Sequence, residues 1–181
     1  MIFNSTILTG AYIVDPSPLK DDRGMFMRTY CKKQFEQIGF NSEWVQMNHS
    51  ISYKKGTIRG MHFQIPPFGE VKMVKCIQGA IFDVIVDLRK DSPTFLQWIS
   101  VDLTKENKRM LYIPAGFAHG FQTLTDDTEL IYHHSHFFTP EAEKGLLYND
   151  PLLSINWPLA LTAISDRDLS HQTINQEFKG I

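Results

Sequence analysis

The residues best suited to proton transfer in this chain are its seven histidines, because imidazole titrates near neutral pH. Two of them lie near glycines: His62 within the segment 59–64, and His119 just after a Pro114-x-Gly116 turn. Glycine gives such a turn the backbone freedom it needs. Taken singly, either histidine suits an acid–base catalyst, a metal ligand or a buried structural residue.

Three more histidines lie close together, at positions 133, 134 and 136. Because side chains alternate along a strand, His134 and His136 would share the face of Tyr132, and His133 would point the other way. This pattern predicts a structural or pocket-rim cluster rather than a metal site.

Seven residues have a spacing that resembles the two motifs of the cupin superfamily, whose members have a small β-barrel with the active site inside it. They are His62, Gln64, Glu70, Gly79, Pro114, Gly116 and His119. Metal-binding cupins usually have a second histidine where this chain has Gln64. His62, Glu70 and His119 could still offer a metal ion two nitrogens and one carboxylate. A metal-dependent cupin enzyme, such as a small dioxygenase or isomerase, is therefore one alternative.

The elements that must position these residues are predicted to be short strands, rich in Val, Ile, Tyr and Phe and separated by Gly and Pro. The predicted strands are 6–14, 25–30, 43–48, 57–63, 71–77, 80–88, 98–103, 109–113, 118–124 and 128–138. In 80–88, Asp83 and Asp87 fall on one face while the other face is wholly apolar. Helix is predicted only for 33–38 and after Pro140. The pattern indicates an all-β sandwich or barrel.

Composition narrows the class further. The chain has 181 residues, 43% of them hydrophobic, which predicts one globular domain over 1–181 with a polar tail at about 170–181. Eighteen basic against 20 acidic residues argue against nucleic-acid binding. No apolar run approaches the ~18 residues of a membrane helix, and the N-terminus lacks a signal-peptide pattern. Two cysteines cannot form a disulfide framework, so a cytoplasmic protein is expected.

Nine segments, in the same order along the chain, resemble the dTDP-4-dehydrorhamnose 3,5-epimerase family of the cupin superfamily. They are 22–26, 46–50, 58–64, 72–76, 82–89, 92–95, 112–121, 149–151 and 164–168. The resemblance implies a cupin-type jelly-roll β-barrel with a few short helices. It also implies a homodimer in which strands near the N-terminus cross to the partner subunit. Apolar residues such as Phe3, Ile7 and Leu8 would supply an edge for that exchange.

The reaction implied by the resemblance is the inversion of C3 and C5 in a nucleotide-linked 4-keto-6-deoxyhexose. It would convert dTDP-4-dehydro-6-deoxy-D-glucose to dTDP-4-dehydro-L-rhamnose, in rhamnose-type deoxysugar biosynthesis. Both C–H bonds are acidic because they adjoin the ketone. A base removes each proton, an enolate forms, and an acid returns a proton to the opposite face. The reaction has no redox step, so no cofactor is expected, and the resemblance assigns no metal to the site.

Site residues follow from the resemblance. The base, its carboxylate partner, the proton donor and the cation at the keto oxygen would be His62, Asp168, Tyr132 and Lys72. His119 and Asp83 match a second histidine–carboxylate pair. Without the resemblance, Tyr132 would be interpreted as a core or rim aromatic and Lys72 as a surface lysine. The pairing of Asp168 with a histidine cannot be derived from spacing.

Substrate-holding positions are implied in the same way. They are Arg23, Gln46, Asn48, Arg59, Phe138, Glu143 and Arg167. Arg23 and Arg59 suit a diphosphate, because a guanidinium binds phosphate oxygens in pairs. Arg59 and His62 differ in strand parity, so if both line a pocket, Gly60 must mark a bulge or kink.

Three positions depart from the family pattern. Arg28 stands where the family usually has Glu, Phe138 where it often has Tyr, and Arg167 where it usually has Lys. The first two lie near the nucleobase in the family. A CDP- or GDP-linked sugar, or inversion at C3 alone, therefore remains an alternative.

A third class is a non-catalytic sugar-binding or assembly module on the same barrel, with Trp44, Trp98 and Trp157 as stacking surfaces. Such a module needs no base, so its affinity would survive substitution of His62 or Tyr132. Metal analysis of the purified protein would identify the metal-dependent alternative.

Overall fold

The computed structural model describes residues 1–175 and 177–181. In those residues the chain forms thirteen strands and two short α-helices, the first of which continues into a 3-10 turn at Glu36–Ile38. The strands are β1 (Ile2–Ser5), β2 (Tyr12–Asp15), β3 (Leu19–Asp21), β4 (Gly24–Phe26), β5 (Gln46–Ser52), β6 (Ile58–Gln64), β7 (Lys72–Gln78), β8 (Ala80–Asp87), β9 (Trp98–Thr104), β10 (Met110–Ile113), β11 (Phe117–Thr123), β12 (Thr128–His134) and β13 (Glu143–Gly145). The helices are α1 (Lys32–Phe35) and α2 (Asp166–Leu169). The described helices are too short to span a bilayer.

Two large antiparallel sheets make up the body of the fold. One has six strands in the order β1-β2-β10-β7-β12-β5, and the other has five in the order β13-β6-β11-β8-β9. A separate hairpin pairs β3 with β4. The all-β jelly-roll class with a few short helices is confirmed, and the two sheets remain separate in the described residues.

Strand β8 shows why the five-stranded sheet is covered on both faces. Ile85 packs in a core that also contains Val74 of the six-stranded sheet. Val84 and Val86 face the other way, into a second cluster that includes Leu153 from the C-terminal region. The predicted alternation along this strand is confirmed, and its polar face turns towards the space between the sheets.

Two predicted elements are wrong. The predicted strand 25–30 is reduced to the end of the short β4, and residues 27–30 lie outside any strand. The segment after Pro140 is not helical, because Glu143–Gly145 forms β13 and pairs with β6. Pairing with a distant strand overrides the local helix signal there. The predicted helix 33–38 corresponds to α1 and the 3-10 turn.

The N-terminal region departs from its predicted form in detail. The predicted strand 6–14 is divided into β1 and β2, which pair with each other. Phe3 packs edge-on against Phe35, and Leu8 is completely buried. Ile7 is exposed, so the apolar edge expected here is mostly covered within the subunit.

Candidate active site

Residues from both large sheets and from the segment 163–168 line a cavity of about 760 Å³. Eleven of the thirteen predicted site residues line it. They are Gln46, Asn48, Arg59, His62, Lys72, His119, Tyr132, Phe138, Glu143, Arg167 and Asp168. Asp83 is buried against His119, and Arg23 lies elsewhere.

His62 and Asp168, which are 106 residues apart in sequence, form a hydrogen-bonded pair. The distance from His62 Nε2 to Asp168 Oδ1 is 2.8 Å. The Gly60 backbone N–H donates to the other carboxylate oxygen at 3.1 Å. Burial alone would raise the pKa of Asp168, but the hydrogen bonds and charge of His62 and the Gly60 amide outweigh it and lower that pKa. An ionised Asp168 accepts a hydrogen bond from the imidazole N–H at Nε2, so Nδ1 is the nitrogen that carries no proton in the neutral ring.

Helix α2 places Asp168 at this position. Ser165 caps its N-terminus, accepting a hydrogen bond from the Asp168 backbone N–H at 3.1 Å. The cap fixes the first turn of a helix only four residues long. Asp168 is the buried residue of that turn, and its neighbours Asp166 and Arg167 are exposed.

An irregularity in β6 brings both Arg59 and His62 to the cavity. His62 pairs with His119, and Arg59 pairs with Phe121, so three steps along β6 match two steps along β11. Gly60 lies in this extra step with a φ of +120°. A Cβ there would lie 2.5 Å from a backbone atom of β11. The bulge predicted at Gly60 is confirmed.

His119 and Asp83 form the second pair, deeper in the fold. His119 Nε2 lies 2.7 Å from Asp83 Oδ1, and both side chains are buried. Burial raises the pKa of Asp83, and His119 opposes part of that rise. The other Asp83 oxygen has no hydrogen-bond partner among the described residues.

Tyr132 reaches the cavity from β12, on the sheet opposite His62. Its hydroxyl lies 3.3 Å from Ser50 Oγ. Burial raises the pKa of Tyr132, with the hydrogen bond to Ser50 opposing part of the rise. The phenol therefore stays protonated at neutral pH and can act as a donor.

Lys72 begins β7 on the same sheet as Tyr132 and is buried. Its Nζ lies 3.0 Å from Glu70 Oε1 and donates to the His62 backbone oxygen at 3.5 Å. An ammonium group in this position places a hydrogen-bond donor in the cavity wall near His62.

The predicted substrate-holding residues fall into two connected groups. The Phe138 backbone N–H donates to Gln46 Oε1 at 3.1 Å, and Gln46 Nε2 donates to Asn48 Oδ1 at 3.2 Å. Across the cavity, Arg167 Nη2 lies 2.5 Å from Glu143 Oε1. Gln46 and Phe138, which are 92 positions apart in sequence, thus meet at the rim of the cavity.

The two arginines predicted for the diphosphate are in different places. Arg59 is exposed, lines the cavity and donates from Nε to Ser52 Oγ at 3.1 Å. Arg23 lies in the hairpin, 90% exposed, and pairs with Asp21. Within one subunit, the structure does not bring Arg23 to the cavity.

Three further residues of the site were missed by sequence reasoning as functional candidates. Ser50 bonds Tyr132, His134 lines the cavity, and His171 Nε2 lies 3.7 Å from Asp168 Oδ1. Strand parity could have found the first two, because Ser50 shares a face with Asn48 and His134 shares one with Tyr132. His171 follows α2 without any such signal.

One group of potential metal ligands exists in the described residues: His62, Asp168 and His171, whose ligand atoms lie within 4.8 Å of one another. Two of these three are already bonded to each other. His62, Glu70 and His119, the set suggested by the cupin motifs, form no such group in the part of the chain that the structure describes. Glu70 contacts Lys72, and His119 contacts Asp83.

The cavity has the parts needed to invert a carbon centre. A carboxylate-held imidazole projects from one sheet, and a partly buried phenol and an ammonium project from the other. A ring between them can lose a proton to one side and regain one from the other. Fold and site together define an acid–base enzyme of the cupin type. The family model for dTDP-4-dehydrorhamnose 3,5-epimerase matches residues 5–176, so the chain belongs to that family and is an isomerase.

Individual relatives agree with this assignment. A dTDP-4-dehydrorhamnose 3,5-epimerase of Shigella flexneri is 44% identical over 168 residues, which are 92% of each chain. The crystal structure of the Bacillus anthracis epimerase, with TDP and pyrophosphate bound, has a TM-score of 0.93 and 43% identity over 96% of this chain and 99% of that one. A Legionella pneumophila epimerase in complex with dTDP-4-keto-L-rhamnose has a TM-score of 0.92 and 37% identity over 97% of this chain and 94% of that one.

Proposed function

We propose that this chain inverts C3 and C5 of dTDP-4-dehydro-6-deoxy-D-glucose to give dTDP-4-dehydro-L-rhamnose. The observation that carries this proposal is the placement of His62 and Tyr132 on opposite sheets of one cavity, with Lys72 beside them. A sugar ring held between the sheets would present its two faces to a base and to an acid. The bound sugar in the Legionella pneumophila relative is the proposed product.

The base in this mechanism is His62. Its free Nδ1 takes the proton from the carbon next to the ketone, and the C–H electron pair moves into a C=C bond as the carbonyl becomes an enolate. Asp168, ionised and bonded to Nε2–H, stabilises the imidazolium that forms. His62 then returns its proton to solvent.

Tyr132 and Lys72 complete each inversion. The Lys72 ammonium donates to the developing enolate oxygen. Tyr132 gives its phenolic proton to the opposite face of the same carbon, the carbonyl re-forms, and the resulting phenolate takes a proton from water. The two steps, first at one carbon and then at the other, leave composition and oxidation state unchanged, so the mechanism requires no cofactor.

The substrate would be held by the cavity rim. Arg59 offers a guanidinium to the diphosphate, and Phe138 offers a ring face to the nucleobase. Gln46 and Asn48 on one wall, and Glu143 with Arg167 on another, offer hydrogen bonds to the sugar and nucleotide.

Uptake of solvent deuterium tests the proposal. The protein is incubated in D2O with dTDP-4-keto-6-deoxyglucose, and the sugar nucleotide is analysed by mass spectrometry. We expect two deuterons in the wild type and none above background in His62→Ala. A single deuteron would indicate inversion at C3 only. Uptake only with a CDP- or GDP-linked sugar would show that the substrate carries that nucleotide instead of dTDP. No uptake with any of these substrates would overturn the proposal.

We also propose that the protein is a homodimer. The β3–β4 hairpin exposes Leu19 and Phe26, at 73% and 74%, and carries Arg23 away from the cavity of its own subunit. A second copy would cover these side chains and receive Arg23 at its own site. Light scattering at micromolar concentration should give twice the chain mass, and Leu19→Glu with Phe26→Glu should give a monomer. A wild-type monomer would contradict the proposal.

A cytoplasmic location is proposed as well. Both Cys31 and Cys76 are free thiols, which suits a reducing compartment. Fractionation of the producing cells should recover the activity with cytoplasmic markers, and activity in an exported fraction would contradict this.

A further inference from the structure

Glu70 has a largely buried carboxylate in the cavity wall that the mechanism above does not use. Its Oε1 lies 3.0 Å from Lys72 Nζ, and its Oε2 lies 2.7 Å from His134 Nδ1. The side chains of Glu70 and Lys72 are each only 9% exposed. Burial alone would raise the pKa of Glu70, but His134 and Lys72 outweigh it and lower that pKa. The carboxylate is therefore ionised while it binds both neighbours.

His134 extends this contact to the substrate-holding residues. Its Nε2 lies 3.3 Å from Asn48 Nδ2, and Asn48 Oδ1 accepts a hydrogen bond from Gln46. Gln46 in turn accepts from the Phe138 backbone N–H. One continuous chain of hydrogen bonds thus runs from the rim of the cavity to Lys72.

The backbone N–H of Phe138, at one end of this chain of hydrogen bonds, determines which group donates at each step. A backbone N–H can only donate, so Gln46 accepts through Oε1 and donates through Nε2. Asn48 must then donate to His134 Nε2, which leaves the proton of a neutral His134 on Nδ1, where it is donated to Glu70. Lys72 also only donates. Glu70 must therefore accept one hydrogen bond from His134 and another from Lys72, one at each side-chain terminal atom. A carboxylate can do this because both of its atoms are acceptors, whereas an amide has a donor at one of them.

The same contacts leave the Lys72 ammonium with one free donor. Two of its three protons are directed to Glu70 Oε1 and to the His62 backbone oxygen. The third is available to the cavity that Lys72 lines. Losing the Glu70 contact would free the ammonium to rotate and shift.

We propose that Glu70 and His134 are positioning residues, which hold the Lys72 ammonium on the enolate oxygen and link its placement to the substrate-holding pair Gln46 and Asn48. This inference rests on the proposed function, since it concerns the cation of that same site. The clearest variant is Glu70→Gln, because it keeps the shape of the side chain but replaces one acceptor oxygen by an NH2 group. That NH2 group would face another donor, either His134 or Lys72.

The first test is the protonation of His134 in the wild type, which does not depend on activity. In 15N NMR spectra near neutral pH, assigned with His134→Ala, we expect a proton on Nδ1 and none on Nε2. A proton on Nε2 would overturn the proposal, and so would a doubly protonated ring.

The second test separates positioning from a purely structural role. Glu70→Gln should lower kcat by about 10 to 100-fold, as expected when a reacting group is displaced. Binding of dTDP alone, measured by calorimetry, should change less than twofold. A wild-type kcat in Glu70→Gln, or an equal loss of dTDP binding, would overturn the proposal. A failure of the proposed function gives a different result, because the wild-type protein itself would then take up no deuterium from D2O.

The chain offers a matched control in His49 and Glu129. This histidine–glutamate pair, at 2.8 Å, joins β5 to β12 and lies outside the cavity. Glu129→Gln should leave kcat unchanged.

A double variant provides a rescue. In Glu70→Gln with Asn48→Asp, the group that can only accept moves to position 48. His134 then carries its proton on Nε2 and donates to position 48, while its Nδ1 accepts from the amide at position 70. We expect the NMR signature to switch to Nε2–H and kcat to rise above that of Glu70→Gln, whatever happens to KM. A switched proton without any gain in kcat would overturn the link to Lys72.

Discussion

His62 on β6 and His119 on β11 are direct partners in the antiparallel register, yet each imidazole is bonded to a different carboxylate. The side chain of His62 is 28% exposed, whereas that of His119 is 6% exposed. A catalytic base must exchange its proton with water after each turnover. The difference in exposure therefore favours His62 as the base and leaves His119 to support the wall of the site.

The first prediction concerns the carboxylate behind the base. Asp168→Asn removes the negative charge that stabilises the His62 imidazolium, so the rate of deuterium uptake should fall by about 10² to 10⁴-fold. Mass spectrometry in D2O at saturating substrate measures this rate. Asp166→Asn, at an exposed position of the same helix, is the control and should behave as wild type. An Asp168→Asn rate within threefold of wild type would contradict the assignment.

The second prediction uses the placement of acid and base on different sheets. Tyr132→Phe leaves His62 able to remove a proton and to return one from solvent to the same face. Deuterium uptake should therefore persist, while inverted product falls by at least about 100-fold. NMR of the recovered sugar distinguishes inversion from retention. Tyr53→Phe, at an exposed tyrosine outside the cavity, should change neither. A parallel loss of uptake and inversion would show that Tyr132 is not the separate acid.

Much of the fold could be predicted from the sequence, because the alternation of polar and apolar residues within single strands is visible in consecutive positions. Alternation along β8 predicted which side chains share a face, and parity predicted the bulge at Gly60. One wrong element, the helix predicted after Pro140, was decided by a distant partner. Nothing near Glu143 indicates that it will pair with Gln64, and short β13 exists only because of that pairing.

The site was harder to predict, because its contacts join remote positions. His62 and Asp168 are 106 residues apart, and only family resemblance brought them together in advance. The pair of Glu70 and His134, 64 residues apart, had no such support. Glu70 was considered as a metal ligand, and His134 as a structural or rim residue. Their contact depends on the register of β7 with β12, which a single sequence does not define.

The third prediction concerns the bulge that brings Arg59 and His62 together. Gly60→Ala places a methyl group 2.7 Å from the His119 backbone oxygen, at a φ of +120° that disfavours side chains. Backbone strain alone should cost about 1 to 3 kcal/mol of unfolding free energy, and the contact adds to it. Chemical denaturation measures the loss, which should be accompanied by reduced activity as the amide that binds Asp168 shifts.

Gly69→Ala is the matched control for this change. A Cβ at Gly69 would lie 3.6 Å from the Ala115 Cβ, which is ordinary contact. Its unfolding free energy should stay within about 0.5 kcal/mol of wild type. Equal stability of the two variants would show that the bulge does not require glycine.

The last prediction is a pH dependence of stability that arises away from the cavity, at Asp87. Burial alone would raise the pKa of Asp87, but hydrogen bonds from Arg89, Ser92 and Thr94 outweigh it and lower the pKa to about 2. Arg89 binds both carboxylate oxygens, at 2.9 and 2.7 Å. The folded state thus favours the ionised form, and the shift corresponds to stability on the order of 2 kcal/mol.

The sign of this effect follows from proton binding. Between pH 4 and pH 2 the unfolded chain holds a proton on Asp87 more often than the folded chain does, so stability falls as the pH falls. Asp87→Asn should therefore lower the unfolding free energy by roughly 2 kcal/mol at pH 7. The difference from wild type should shrink towards zero as the pH falls from about 4 to about 2. Urea unfolding across this range measures the difference, with Asp91→Asn, an exposed carboxylate, as control. A difference that stays constant down to pH 2 would show that the contribution of Asp87 does not come from its ionised hydrogen bonds.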